Sequence, residues 1–239
     1  MIELYNLVFY QPIFNLLVWL YNIIPGQDIG LAIIVLTILV RLILLPFTMQ
    51  SLKSQKALQA LQPKIQELKD KYKGEKDKLA KATMELYSKE KVNPMASCLP
   101  LIVQLPIFIA LYQVLMAGLA GEKMELLYSF VIKPDSIHSM FLGFLDLGKP
   151  QIVLAVLAGL TQYWQTKSLT HTNQPKIPGA KDEAMLSMMN KQMLYFMPIM
   201  TVFIGASLPG GLALYWLATN VLTVAQQYAF LKHKPVTQS

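Results

Sequence analysis

Apolar residues fall into long runs separated by polar segments, and the runs set the expected architecture. Gly30 to Phe47, Leu99 to Gly118, Gln151 to Thr166, Met193 to Leu208 and Leu212 to Tyr228 each read as a spanning helix. The last two meet at Ser207, Leu208, Pro209, Gly210 and Gly211. That joint predicts a tight turn, because proline fixes φ and two glycines accept φ above zero. Ahead of the first run, Pro12 and Pro25 bracket 12 residues that are too few to span. Gln11, Asn15 and Asn22 gather on one side of a helical wheel there, and Trp19 and Tyr21 suit headgroup depth. Residues 1–26 are therefore expected to form an interfacial amphipathic helix.

A different periodicity follows the first run. Leu58, Leu61, Ile65, Leu68 and Tyr72 recur at spacings of three and four, which gives one apolar helical stripe interrupted by Pro63. Lys73, Gly74, Glu75 and Lys76 break the pattern, and Leu79, Thr83, Leu86 and Glu90 mark a second, weaker stripe. This predicts a helical hairpin. The expected organisation is an all-α integral membrane protein, with the N-terminal helix at 1–26, the first span within 27–48 and the hairpin at 49–96. Spans two to five with their loops occupy 97–230, and a tail occupies 231–239. Pro175, Pro178 and Gly179 make the stretch from Lys167 to Lys191 a loop.

Composition and charge add a direction. The chain is 54% hydrophobic and 15% charged, against about a quarter charged for soluble domains. Thr48 to Ala96 holds 11 lysines, Lys167 to Lys191 four and the tail two. The first 29 residues have none and Leu119 to Pro150 has three. Seventeen against three places the N-terminus outside and the C-terminus in the cytoplasm, with the hairpin cytoplasmic. The net charge of +7 is explained by this bias, so no DNA partner is expected. The hairpin itself is net +5, with 11 lysines and six acids, and suits anionic headgroups, ribosomal RNA or acidic nascent chains. The first 26 residues lack the basic n-region of a signal peptide. Cys98 is the sole cysteine, so no intramolecular disulfide and no multi-cysteine metal site is expected.

The chemistry centres on Arg41, the only arginine, inside the first apolar run. An arginine at the centre of a span costs at least about 2.5 kcal/mol and usually faces water or protein. No Asp or Glu falls in any of the five runs; their interior polar groups include Gln104, Gln113, Gln162, Gln165 and Asn220. Arg41 therefore implies a wet cavity or an anion supplied by a partner. A small anion channel or transporter would use it as a selectivity charge, but Ile29 to Leu36 is wholly apolar and offers no through path. Asp146 and His138 have no nucleophile partner, so no catalytic set, and no cofactor, is expected.

Several stretches resemble one family. TILVRLILLPFTMQ from Thr37 to Gln50, ALQPKIQELKDKY, MELYSKEKVNPMASCLPLIVQLPIFIALY from Met84 to Tyr112, FLGFLDLGKP from Phe141 to Pro150 and SLPGGLALYWLATNVLTVAQQY from Ser207 to Tyr228 are similar to the YidC/Oxa/Alb membrane protein insertases. The large periplasmic domain and extra first span of Gram-negative members, and the lipoprotein cysteine of many Gram-positive ones, are not in this sequence. The resemblance implies a non-enzymatic insertase of the bacterial inner membrane, with five transmembrane helices around a hydrophilic groove open to the cytoplasm and to lipid. Arg41 matches the groove arginine, and Thr37 shares its helix face at i to i+4. Gln104, Phe108, Gln162, Tyr215, Trp216 and Asn220 match groove or substrate-path positions. Nascent membrane proteins and the lipid bilayer are the implied partners, with the ribosome and the Sec translocon as further candidates.

Overall fold

The computed structural model describes residues 2–93, 99–119, 121–170 and 192–232. Cys98, most of the expected second loop (171–191) and the end of the tail (233–239) lie outside the described residues. The rest is mostly helical. A short helix α1 (Ile2–Tyr5) and a π-helical turn (Asn6–Tyr10) run without a break into α2 (Gln11–Ile23), and Pro12, which has no N–H to continue the ladder, comes just after the π-helical turn. Ile24 is extended, as the residue before Pro25 must be. Asp28 then caps α3 (Ile29–Ile43), its Oδ1 accepting from the Leu31 N–H at 3.0 Å.

The first expected span is shorter than the apolar run. It stops at Ile43, and the chain turns by 64° into α4 (Leu45–Ala60). Pro46 has no N–H with which to continue the ladder, so Phe47 belongs to the next helix rather than to the span. Among the described residues no single helix is long and apolar enough to cross a membrane; α3 with residues 45–58 passes that test only as a bent pair.

Pro63 acts as expected, separating α4 from α5 (Gln62–Lys71). Gly74, at φ +89°, turns the chain into α6 (Lys76–Lys89). Leu61 and Ile65 of the stripe are buried, and Lys64 Nζ meets Glu90 Oε1 at 2.5 Å across α5 and the end of α6. That pair is exposed enough to contribute little.

Helix α7 (Leu99–Leu119) carries Pro106 internally. The connection to α8 (Ile152–Thr170) holds a 3-10 turn at Met124–Leu126 and a small antiparallel pair, β1 (Met140–Phe141) and β2 (Leu145–Asp146). A π-helical turn (Gln192–Phe196), α9 (Met197–Gly205) and α10 (Gly210–Lys232) complete the chain. The core is built from Phe14, Val18 and Tyr21 of α2, Ile33 and Leu36 of α3, Leu111 and Leu115 of α7, and Leu212 of α10.

Contacts between distant segments add to one expectation and change another. The polar residues of α2 hold the backbone of a connecting segment. Gln11 Nε2 and Asn15 Nδ2 both donate to the Leu126 carbonyl at 3.1 Å, Asn15 Oδ1 accepts from the Tyr128 N–H, and Asn22 Nδ2 donates to the Ile132 carbonyl at 2.7 Å. A loop backbone without secondary structure needs partners, and α2 supplies them while its apolar side enters the core. The glycine pair differs. Neither Gly210 nor Gly211 has positive φ; both begin α10. Their N–H groups donate to the Lys149 and Leu147 carbonyls at 2.9 and 3.1 Å. A Cβ on Gly210 would stand 2.5 Å from Gln151 Cγ, and one on Gly211 3.0 Å from Leu115 Cδ1. Close approach, not turn conformation, demands glycine there. The turn is thereby strapped to the segment that begins α8. Nearby, a hydrogen bond from Ser139, supported by the Gly148 N–H and Lys149, holds the Asp146 carboxyl below its usual range. This contribution is present above the ordinary carboxylate range and is lost as pH falls through the lowered value.

Candidate functional site: the Arg41 cluster

Arg41 sits in the last turn of α3 and is half-buried. Its Nη2 donates to the Thr219 carbonyl of α10 at 3.4 Å. That carbonyl also accepts from the Thr223 hydroxyl at 2.7 Å, so it is shared. Among the described residues no carboxylate pairs with the guanidinium. A guanidinium has five donors in a planar fork, and one long bond to a neutral oxygen leaves most of them for other acceptors.

Two further contacts build the cluster. Gln104 Nε2 of α7 donates to the Tyr215 hydroxyl of α10 at 2.6 Å. Tyr215 is only 2% exposed, so its hydroxyl needs this partner. One turn along α7, Phe108 meets Trp216 edge to face, with ring centroids 5.5 Å apart and planes at 69°. Helix α10 thus receives Arg41 on one side and Gln104 and Phe108 on another. Tyr215→Phe keeps the ring and leaves the Gln104 amide unpaired, so thermal unfolding in detergent should show a loss of about 1 kcal/mol.

The other expected residues sit elsewhere. The Asn220 side chain, 4% exposed, donates to the Ala158 carbonyl at 2.9 Å and binds α10 to α8. The Gln162 side-chain oxygen takes a short hydrogen bond from Thr201 of α9. Thr37 is fully buried and returns its hydroxyl to the Ile33 carbonyl at 2.6 Å, so it shares the face of Arg41 without joining its hydrogen bonds. The expected set therefore divides. Arg41, Gln104, Phe108, Tyr215 and Trp216 form one cluster over α3, α7 and α10, whereas Gln162 and Asn220 tie α8 to its neighbours. Thr201 was missed, although a single threonine in the apolar α9 is a readable signal; the Thr219 contribution is a backbone oxygen, which no side-chain pattern shows.

These features define a largely helical protein whose apolar bundle holds one arginine against a neutral oxygen. Residues 19–237 match the family described as 60Kd inner membrane protein. The chain is 38% identical over 205 residues to the membrane protein insertase YidC of Fusobacterium nucleatum, covering 86% of this chain and 87% of that one. It is 35% identical over 240 residues to that of Oceanobacillus iheyensis, covering 98% and 85%. The Citrifermentans bemidjiense relative is longer: 35% identity over 217 residues covers 91% of this chain and 35% of that protein. Among solved structures, an active YidC insertase with its first transmembrane domain resolved is similar at a TM-score of 0.64 and 28% identity. That match covers 94% of this chain and 46% of the other, about half its length. The chain belongs to the 60Kd inner membrane protein family, the family of the YidC insertases.

Proposed function

We propose that this chain is a membrane protein insertase that captures the hydrophilic tails of nascent membrane proteins and passes their transmembrane segments into lipid. Relatives at 38% and 35% identity carry that name over most of the chain; none of them supports the anion-channel alternative. Insertion makes and breaks no covalent bond, so the activity is not enzymatic.

In this reading α3, α7, α8, α9 and α10 are the five spans, around a groove that opens to the cytoplasm and to lipid, with the N-terminus outside. The observation that carries the mechanism is the guanidinium of Arg41, held by the Thr219 carbonyl and by no carboxylate among the described residues. The obstacle to insertion is the polar tail, because each unsatisfied backbone group in hydrocarbon costs several kcal/mol. A wet half-channel shortens the dry path, and Arg41 holds an acidic tail within it. The apolar segment then leaves past Tyr215, Trp216 and Phe108 into lipid. A membrane potential adds about 2.3 kcal/mol per charge per 100 mV and draws an acidic tail towards a positive exterior. The test is insertion of a single-spanning substrate into vesicles holding only this protein, with and without a potential; absence of insertion above protein-free vesicles would refute the reading.

The hairpin α5–α6 fits a capture role, with the ribosome and the Sec translocon as candidate contacts. Its stripe is narrow and its joining turn, 72–75, touches the core nowhere in the described contacts. Deleting residues 72–78 should slow insertion several-fold and leave the unfolding temperature of the bundle within about 2 °C, read by thermal unfolding beside the insertion assay. Loss of the folded protein would make the hairpin structural.

A further inference from the structure

The connection between α7 and α8 places large apolar side chains outward at two points. Phe130 is 72% and Ile132 78% exposed beside the end of α2, where the Ile132 carbonyl is held by Asn22. Leu142 and Phe144, 56% and 72% exposed, form the tip of the β1–β2 turn. This tip is held firmly. The Leu142 N–H donates to Asp28 Oδ2 at 2.6 Å, and the Phe141 ring fills the space that a Cβ on Gly30 would need. Leu142 and Gly143 both have positive φ, +52° and +78°. Asparagine and glycine are the usual occupants of such positions in a turn that faces water. A leucine kept in this strained conformation, with its side chain turned outward, points to an apolar surrounding rather than to solvent.

We propose that these two prongs insert into the bilayer and anchor this end of the protein at the boundary between headgroups and acyl chains. Lipid is the occupant because the prongs continue a surface that already faces it in a family of inner membrane proteins. Ile23 at the end of α2 and Ile152 at the start of α8 are 55% and 67% exposed at the same end. Burial of apolar side chains drives the anchoring, not attraction to anionic lipid. The connection carries Lys123, Lys133 and Lys149 against Glu122, Glu125, Asp135 and Asp146, three against four, for a net charge of −1. The anchor does not depend on the insertion mechanism or on which leaflet this end meets; it requires only that the bundle resides in a membrane.

The test uses Cys98→Ser protein with a single cysteine at Phe130, Phe144 or, as the control, exposed Asp135. Each is labelled with an environment-sensitive fluorophore and placed in nanodiscs of zwitterionic phosphatidylcholine, which leave both faces open to solution. Labels at positions 130 and 144 should be at least fivefold less quenched by aqueous iodide than the label at 135, and strongly quenched by lipid with a nitroxide high on the acyl chain. Iodide quenching equal to that at position 135 overturns the anchor. Protection from iodide without quenching by the lipid nitroxide also overturns it, since a protein surface would then cover the prongs. Photolabelling of the unmodified chain by a lipid with a diazirine near its ester carbonyl removes any effect of the substitutions. Adducts should appear in peptides covering 128–133 and 140–148, and their absence, with adducts on the helices, counts against the proposal.

Discussion

Arg41→Glu should reduce insertion of acidic-tailed substrates by about a hundredfold, and Arg41→Ala by about tenfold, in vesicles under a membrane potential. Two unit charges 4 Å apart attract by about 4 kcal/mol at an effective dielectric of about 20. Partial exposure and salt lower this to about 1.5–3 kcal/mol, or about ten- to a hundredfold in capture. Arg41→Lys should keep most of the activity, because among the described residues no carboxylate pairs with Arg41 and its hydrogen bond to the Thr219 carbonyl, at 3.4 Å, is weak. Reversing the sign of the substrate tail should partly rescue Arg41→Glu, a coupling that groove hydration alone would not produce. Equal rates for Arg41→Ala and the unsubstituted protein on acidic and neutral tails would rule out electrostatic capture. The bundle should fold in each case, since the Thr219 carbonyl keeps its hydrogen bond from the Thr223 hydroxyl.

The second large effect is on stability. Gly30→Ala should lower the unfolding free energy by about 1–3 kcal/mol, as overpacking in a closed site does. A Cβ there would stand 2.1 Å from Phe141 Cδ2 and 2.8 Å from its Cβ, so ring rotation alone cannot clear it. The loop must move, and with it the Leu142 N–H bond to Asp28. Phe141→Ala on the Gly30→Ala background should recover part of the loss, and a double-mutant cycle read by thermal unfolding gives the coupling. Additive effects would show that the glycine and the ring act independently.

The contrast between these two residues shows what a sequence can reveal here. Arg41 stands out because a lone charge in an apolar run violates local solvation. Pro63 and Pro209 are equally visible, because proline acts on its own backbone. Gly30 gives no such signal: its necessity comes from Phe141, more than a hundred residues away, through a loop whose docking no periodicity encodes. The partners of the polar side of α2 are hidden for the same reason, since Gln11, Asn15 and Asn22 share one side of the wheel but nothing in the wheel shows the backbone of 126–132 against them. Thr37 shares a helix face with Arg41 on the wheel, yet its hydroxyl turns inward to Ile33.

The strap from Gly210 and Gly211 to Lys149 and Leu147 has a mechanical consequence. It joins the starts of α8 and α10, Asn220 ties their middles through the Ala158 carbonyl, and Ser168 donates to Gln227 Oε1 at 2.6 Å near their far ends. Helix α10 has 23 residues and is about 34 Å long. With ties at three levels along that length, the two helices behave as one plank, so a tilt of α10 carries α8 with it instead of parting the pair.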